Sequence, residues 1–217
     1  MAKLRKKNKL VRGVGVNDAD YIVSNSVVID GIEYNQCPYY RSWGRMLERC
    51  YSSKYHIRNS SYAGCSVTDD WLTFSNFKNW MMTQDWVGLQ LEKDVLIVGN
   101  KHYSSTTCVF AHSKVNTFVT DSANSRGDYP IGVHLYKLTG KYKSECRNPF
   151  ANKQESLGYF TTPEAAHNAW KQRKLQHAVS LSKSEYVTDK RVGDALVSRY
   201  TDYSENGLVE PDIFEGL

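Results

Sequence analysis

The chain has 217 residues, of which 41% are hydrophobic and 12% aromatic, and its formal net charge is +5 at pH 7. This composition is enough for one large or two small packed cores, and it excludes a wholly disordered chain. No stretch approaches the ~20 apolar residues of a membrane span, and the basic start lacks the apolar segment of a secretory signal. We therefore expect a cytoplasmic protein with no membrane partner.

Basic residues cluster at two places, one in the first ten residues and one much later in the chain. They are Lys3, Arg5, Lys6, Lys7 and Lys9, then Lys141, Lys143 and Arg147. Such clusters favour a polyanionic partner. For the amino-terminal cluster alone, a solvated tail is an equally good interpretation.

The cysteines are scattered and odd in number, and no two of them form a C-x-x-C pair. They are Cys37, Cys50, Cys65, Cys108 and Cys146. This spread predicts reduced thiols that fill the core rather than a disulfide framework. A structural zinc would need four converging ligands, and we predict none.

The first part of the chain, residues 1–36, reads as the basic arm followed by two short strands around a turn at Asp30-Gly31. An aromatic-rich domain over residues 37–120 follows. Its "PYYRSWGRMLERCY" predicts a helix with Trp43 and Leu47 on the apolar stripe, and "DDWLTFSNFKNWMM" predicts a second helix with Asp70 as N-cap.

A ββα pattern ends this domain. "LEKDVLIV" predicts a strand, Gly99-Asn100 a turn, "TTCVF" a second strand, and "AHSKVNTF" a short helix that carries Asn116. Such a unit can gather a carboxylate and an amide around one hard divalent cation, which polarises a phosphate while a nearby base activates water.

The polar stretch 121–130 predicts a linker, and residues 131–182 predict a compact module. In this module two alternating strands flank Thr139-Gly140, "SLGYF" gives a third, and Thr162 caps a helix that begins at Pro163. The tail, 183–217, contains "DKRVGDALVSRY", a possible helix that closes back on either domain.

The segment from Tyr40 to Asn116 resembles phage HNH homing endonucleases. The resemblance is carried by "WGRMLERCY", "GCSVTDDWLTFSNF", "LEKD" and "YSSTTCVF", in that order, with the trailing Asn. It implies one Mg²⁺ or Mn²⁺ per active site, held by Glu92 and Asn116. Glu92 and Lys93 stand where the family has a ligand Asp and a general-base His.

These two departures shape the expected roles of the neighbouring residues. Lys93 is a poor base at neutral pH, so we expect it to contact the scissile phosphate. His102, in the turn, or His112, before the helix, would activate water instead. Asp94 is a possible replacement carboxylate if the strand is regular.

Residues 131–182 resemble an AP2 domain through "GV", "GKYKSECRNP", "LGYFTTPEAA" and Trp170. The resemblance implies a three-stranded antiparallel sheet laid in the major groove of double-stranded DNA, with a helix behind it. His134 and Tyr136 stand where plant AP2 domains have arginines. The expected DNA contacts, including two arginines of the first predicted helix, are Arg41, Arg45, His134, Tyr136, Lys141, Lys143, Glu145 and Arg147.

We therefore expect an α+β protein with an HNH-like ββα-metal domain and flanking helices, followed by an AP2-like three-stranded sheet plus helix. The expected function is a phage-type, site-directed DNA endonuclease, which would act in the host cytoplasm. The alternative is a catalytically degenerate HNH-fold DNA-binding protein that acts as a regulator or inhibitor. The sequence does not specify the target site, nick versus double-strand cut, protein partners or oligomeric state.

Overall fold

A computed structural model describes residues 10–120 and 128–201 of the chain. These residues form an α+β fold of two compact units, with the boundary between Phe110 and Ala111. The predicted basic cluster of residues 3–9, most of the predicted linker and the tail from residue 202 lie outside the described residues.

The first unit begins with the predicted pair of short strands. β1 (Val27–Ile29) pairs antiparallel with β2 (Ile32–Tyr34), and Asp30 and Gly31 make the turn at φ values of 50° and 78°. Positive φ at both central positions is what a tight two-residue hairpin turn requires, and Asp-Gly meets that requirement at little steric cost.

Two helices follow and supply most of the core of this unit. α1 (Pro38–Tyr51) has Pro38 in its first turn and buries Trp43, Met46 and Leu47 completely or nearly so. The short helix α2 (Ser53–Arg58) leads into a 3-10 turn over Ser60–Tyr62. β3 (Ser66–Val67) and a second 3-10 turn, Asp69–Leu72, precede α3 (Phe74–Met82).

The prediction that Asp70 caps the second helix is wrong, because Asp70 lies inside the 3-10 turn and α3 starts four residues later. In one continuous helix, the Trp71 carbonyl would accept from the Ser75 amide. Instead Trp43 Nε1 donates to the Trp71 carbonyl at 2.6 Å, and the Ser75 amide donates to Asp18 Oδ1 at 2.9 Å. These two tertiary hydrogen bonds break the helix that the local sequence favours.

Aromatic side chains pack the interior between α1 and α3. Trp43 and Phe74 lie 5.5 Å apart between ring centroids, and Trp71 meets Phe77 edge to face at 5.1 Å. The amino-terminal segment crosses this core at Gly15, where a Cβ atom would overlap Leu47 and the Trp43 ring. The predicted positions of Trp43 and Leu47 on the apolar stripe of α1 are confirmed, because both lie in the core cluster.

The rest of the first unit is a set of short strands. β4 (Gln90–Glu92) is hydrogen-bonded to β6 (Val109–Ala111), whose last residue crosses the unit boundary. Between them, β5 (His102–Tyr103) pairs in parallel with β3. The five cysteines of the chain are free and buried, which confirms the prediction of unpaired thiols inside the cores.

The second unit contains α4 (Ser113–Val119) and an antiparallel sheet of β7 (Val133–Tyr136), β8 (Lys141–Asn148) and β9 (Lys153–Phe160) in that order. α5 (Pro163–Ser182) packs on the sheet and buries Ala166 and Trp170. The Thr162 hydroxyl accepts from the Ala165 amide at 3.1 Å, so the predicted cap is confirmed.

α6 (Lys190–Thr201) covers α5 and comes from the stretch predicted as a tail. Phe118 of α4 meets Tyr200 of α6 edge to face, with 5.6 Å between ring centroids. Residues 113–119, which the sequence predicts as the last helix of the first domain, are therefore grouped with the second unit. None of the helices in the described ranges is long and apolar enough to cross a membrane.

Candidate active site and nucleic-acid interface

The hairpin predicted to carry the chemistry is less regular than its sequence indicates. The predicted strand over residues 91–98 ends at Glu92, and the residues from Lys93 to Ile97 form a series of bends. The Asn100 side-chain amide holds this loop, because its nitrogen donates to the carbonyls of Lys93 and His102, each at 2.7 Å. Strand alternation therefore cannot be used to place Asp94 beside Glu92.

The second predicted strand also starts later than expected. Ser104 to Thr107 form a turn in which Thr107 Oγ1 donates to the His102 carbonyl at 2.8 Å and the Cys108 amide donates to the Ser104 carbonyl at 3.0 Å. β6 begins only at Val109. The local hydroxyl bonds offered by serine and threonine compete with extended pairing, which explains the shorter strand.

Glu92 is the buried carboxylate of this hairpin, with 7% of the residue exposed. The pKa of Glu92 is raised to about 7, chiefly by burial and in smaller part by the nearby Asp94 carboxylate, while Arg49 and Lys93 oppose the shift. Arg49 reaches this region from α1 and donates from Nη1 to the Leu91 carbonyl at 3.3 Å. A carboxyl group that titrates near neutral pH can exchange a proton under physiological conditions.

Lys93 is buried too, and its partner is a carboxylate. Its ammonium donates to Asp94 Oδ2 at 3.0 Å and lies 5.7 Å from the centroid of the Tyr62 ring. The side chain of Lys93 is 8% exposed, against 42% for Asp94. The lysine is therefore held inside the hairpin, and Asp94 presents part of its carboxylate to solvent.

The side chains at the end of β4 offer the kind of oxygen atoms that bind hard divalent cations. Glu92 and Asp94 supply carboxylate oxygens, and the unfavourable interaction between them is of the kind that a divalent cation relieves. Against this, Lys93 already neutralises Asp94, so a metal would have to displace that ammonium. Within the described ranges, no group of three or more His, Cys, Asp or Glu side chains could hold a metal.

The two histidines predicted as bases are in different settings. His102 was predicted to lie in the turn, but it lies on β5. Its Nδ1 is 2.9 Å from Ser66 Oγ on the neighbouring strand. His112 precedes α4 in the second unit, where its Nδ1 accepts from the Lys114 amide at 3.1 Å. His112 is thus the N-cap of the helix that carries Asn116.

Asn116, the second predicted metal ligand, lies on α4 as expected. Its backbone carbonyl accepts from the Thr120 amide and hydroxyl, at 3.0 and 2.7 Å. Glu92 belongs to the first unit, whereas Asn116 and His112 belong to the second. Whether Glu92 and Asn116 share a metal stays a prediction.

Arginines form a ridge along α1, at every fourth residue. Arg41 and Arg45 are exposed, and Arg49 is half-buried. Together they line a cleft of about 190 Å³ that also borders Leu91, the residue before Glu92. Arg41 and Arg45 are among the predicted DNA contacts, and Arg49 is not. The spacing of four residues was the signal that would have found it, because it places all three on one helix face.

The sheet of the second unit presents a polar face away from α5. Ser144 and Cys146 of β8 are buried, so the alternate positions of this strand point outward. The β8–β9 pairing has a register shift between Ser144 and Glu145, and this shift does not interrupt the alternation of side chains along β8. The outward residues of β7 and β8 include all the predicted sheet contacts, which are His134, Tyr136, Lys141, Lys143, Glu145 and Arg147.

Hydrogen bonds order this outer face. Lys143 Nζ donates to Glu145 Oε1 at 2.5 Å, which raises the pKa of Lys143, and His134 Nε2 lies 3.6 Å from the other oxygen of Glu145. The Tyr136 and Tyr159 rings lie beside each other at 5.1 Å. Among the described residues of β7 and β8, this face carries Lys141, Lys143 and Arg147 against the one carboxylate of Glu145. The tyrosine pair joins the two edge strands, β7 and β9, across β8.

The opposite face holds an ionic cluster that was not predicted from the sequence. Glu155 Oε2 accepts from Arg173 Nε at 2.7 Å and lies 3.0 Å from His177 Nε2, while Asn148 Nδ2 donates to Glu155 Oε1 at 2.6 Å. The Arg173 hydrogen bond contributes most to lowering the pKa of Glu155 to about 2. This cluster joins α5 to the sheet, and no local sequence pattern predicts it, because Glu155 lies 18 and 22 residues from its two partners on α5.

Comparisons with known proteins add no assignment. No protein-family model matches the chain, and the searches of curated proteins and of solved structures returned no match.

Proposed function

We propose that this protein binds double-stranded DNA and cleaves it as a site-directed endonuclease of the HNH type. The observation that carries the binding step is the outer sheet face, where Lys141, Lys143 and Arg147 project from one strand beside exposed His134. Three strands span ~10 Å, which suits the ~12 Å width of a major groove.

The chemistry of this face suits both backbone and base contacts. Lysine ammonium groups bind phosphates as point charges, and an arginine guanidinium can donate two hydrogen bonds to guanine. Glu145 orients Lys143 through their 2.5 Å hydrogen bond and can itself accept from cytosine N4. The arginine ridge on α1 adds a second basic surface, in the first unit.

The cleavage step is supported by the carboxylates at the end of β4. Glu92 and Asp94 are close enough for the charge of one to raise the pKa of the other, and Arg49 connects this position to the arginine ridge. A bound Mg²⁺ or Mn²⁺ would supply charge stabilisation at the scissile phosphate. Glu92 and Asp94 would hold it, and Glu92 would then remain ionised.

A second candidate is a DNA-binding protein without nuclease activity, and one observation favours it. The Lys93 ammonium lies 3.0 Å from Asp94 Oδ2, and Arg49 stabilises the charged form of Glu92. Both carboxylates therefore already have protein cations as partners. In that case the hairpin would be a folded scaffold, and DNA binding would be the whole activity.

Duplex binding is tested by fluorescence anisotropy across a salt series. We expect affinity to fall steeply with salt, and both Lys141→Gln and Lys143→Gln to reduce the magnitude of the log–log salt slope by about 1. Lys190→Gln is the matched control, because this exposed lysine of α6 pairs with Asp194 away from the sheet. Equal slopes for all three variants and the unmutated chain would refute the assigned interface.

Metal binding separates the two candidates. Titration calorimetry with Mg²⁺ and Mn²⁺ should give one binding event in the unmutated chain and none in Glu92→Gln. No binding of either metal, together with intact duplex binding, would favour the second candidate.

A further inference from the structure

A cavity of about 260 Å³ lies within the second unit, away from the outer sheet face except at Arg147. Its walls come from α4, from the end of β8 and the loop that follows it, and from α5. The lining residues are Ser113, Lys114, Thr117, Phe118, Arg147, Pro149, Asn152 and Lys174. Three of them are cations, and none of these eight residues is acidic.

The three cations meet neutral partners. Lys174 Nζ donates to the Phe118 carbonyl at 2.7 Å and lies 3.6 Å from the centroid of the Phe118 ring. Lys114 Nζ donates to the Pro149 carbonyl at 3.4 Å, and Arg147 donates from Nη2 to Asn152 Oδ1 at 2.5 Å. Carbonyl, amide and ring contacts orient the cations but do not neutralise them.

Lys174 carries the largest electrostatic cost. The pKa of Lys174 is lowered to about 8, chiefly by burial and in smaller part by Arg199, while Cys146 opposes the shift. A methionine would fill the same apolar surroundings without that cost. An ionisable group kept at a desolvated position, with further cations beside it, is typical of a site that binds an opposite charge.

We propose that this cavity binds a phosphate group through Lys114, Arg147 and Lys174. Guanidinium and ammonium groups donate charge-assisted hydrogen bonds to phosphate oxygens, and Ser113, Thr117 and Asn152 offer further polar atoms around them. The volume exceeds the ~30 Å³ share of one water molecule several times over, so it has room for a phosphate together with part of an attached sugar.

The phosphate has two chemical sources, a free phosphate or nucleotide and the backbone of duplex DNA. The site itself does not depend on the proposed function, because inorganic phosphate is a sufficient probe. The variants are Lys174→Met, which keeps the apolar contacts of the side chain, and Lys114→Gln, which changes a different wall of the cavity. Lys171→Met is the matched control, one turn earlier on α5 and outside the cavity lining.

Isothermal titration of the full chain with inorganic phosphate is the direct test, with sodium chloride at equal ionic strength as the blank. We expect saturable binding of one phosphate, weakened about tenfold or more by Lys174→Met and several-fold by Lys114→Gln, because each removes a charge-assisted hydrogen bond. Lys171→Met should bind within about twofold of the unmutated chain. No saturable binding, or equal binding by all variants, would overturn the proposal.

A salt series with a short duplex then identifies the source. If the phosphate belongs to DNA, Lys174→Met reduces the magnitude of the salt slope by about 1 as well as weakening inorganic phosphate binding. If the natural ligand is a free phosphate or nucleotide, the slope is unchanged while phosphate binding is still lost. If the chain binds no duplex at all but binds phosphate, the proposed DNA-binding function fails and the cavity site stands.

Discussion

Glu92→Gln should make the metal-free protein more stable at alkaline pH than at acidic pH, relative to the unmutated chain. The folded-state pKa of Glu92 is about 7, raised from an ordinary value of 4.5, and the residue is 7% exposed. A raised carboxyl pKa means that the folded state binds the proton more tightly than the unfolded state. Its stabilisation is therefore complete below about pH 4.5 and is lost as pH rises through 7.

Linkage gives the size of this effect. The ionised Glu92 weakens folding by about 0.8 kcal/mol at pH 5 and about 3.3 kcal/mol at pH 8, relative to a carboxyl whose pKa does not change on folding. Glutamine does not titrate, so the difference in unfolding free energy between Glu92→Gln and the unmutated chain should shift by about 2.5 kcal/mol across this range.

Urea unfolding followed by tryptophan fluorescence in EDTA measures this difference. Four of the five tryptophans, Trp43, Trp71, Trp80 and Trp86, belong to the first unit, so the signal reports mainly on the unit that contains Glu92. Comparing one variant with the unmutated chain at both pH values cancels the other titrating groups that the two chains share. A free-energy difference that is the same at pH 5 and pH 8 would refute the conclusion that burial of Glu92 outweighs the stabilisation of its charge by Arg49 and Lys93.

Three further changes test other parts of the structure. Gly132→Ala should destabilise the second unit by more than about 2 kcal/mol, because φ is 80° and a Cβ would overlap the Trp170 ring. Gly140→Ala, at φ 68° in open space, is the control and should cost only about 1–2 kcal/mol in the same thermal melt. Glu155→Gln should destabilise the second unit more at pH 6 than at pH 3. The depressed pKa of Glu155 stabilises the fold fully above about pH 4.5, and this stabilisation is lost as the pH falls towards 2. Equal losses of stability at both pH values would contradict the pairing with Arg173. Ser75→Pro should increase hydrogen exchange of α3, because it removes the amide that donates to Asp18 at 2.9 Å. Ser53→Pro, at the first position of α2, is the control and should leave hydrogen exchange of α3 nearly unchanged.

Local sequence predicted those elements whose hydrogen bonds are local. The Asp30-Gly31 turn, α1 with Pro38 in its first turn, and the Thr162 cap each depend on residues within four positions of one another. The three strands of the second unit were also found, because their alternation is regular and Gly140 marks the first turn. The α+β class followed from these elements.

Elements that depend on distant partners were not predicted. The helix expected from Asp70 is broken by Trp43 and Asp18, which lie 28 and 57 residues from the atoms they bind. The hairpin strand stops at Glu92 because Asn100 holds the loop from the other side. Residue types alone did not indicate that Arg49 and Lys93 would partner the two acidic groups, because that pairing depends on burial and on the bend after β4.

The grouping of α4 with the second unit had no signal in the sequence either. Phe118 meets Tyr200 of α6, and Lys174 of α5 donates to the Phe118 carbonyl, so partners 56 to 82 residues away determine where this helix packs. The phosphate cavity arises from the same packing, because α4 supplies Lys114 and α5 supplies Lys174.

Cleavage of supercoiled plasmid tests the central claim most directly. The unmutated chain and Glu92→Gln would be incubated with plasmid in Mg²⁺, in Mn²⁺ and in EDTA. Glu48→Gln is the matched control, because Glu48 lies on α1 and forms a partly exposed ion pair with Arg12. We expect metal-dependent nicking or linearisation by the unmutated chain and by Glu48→Gln, and none by Glu92→Gln. Duplex binding without cleavage in either metal would contradict the endonuclease and leave a DNA-binding protein built on this hairpin.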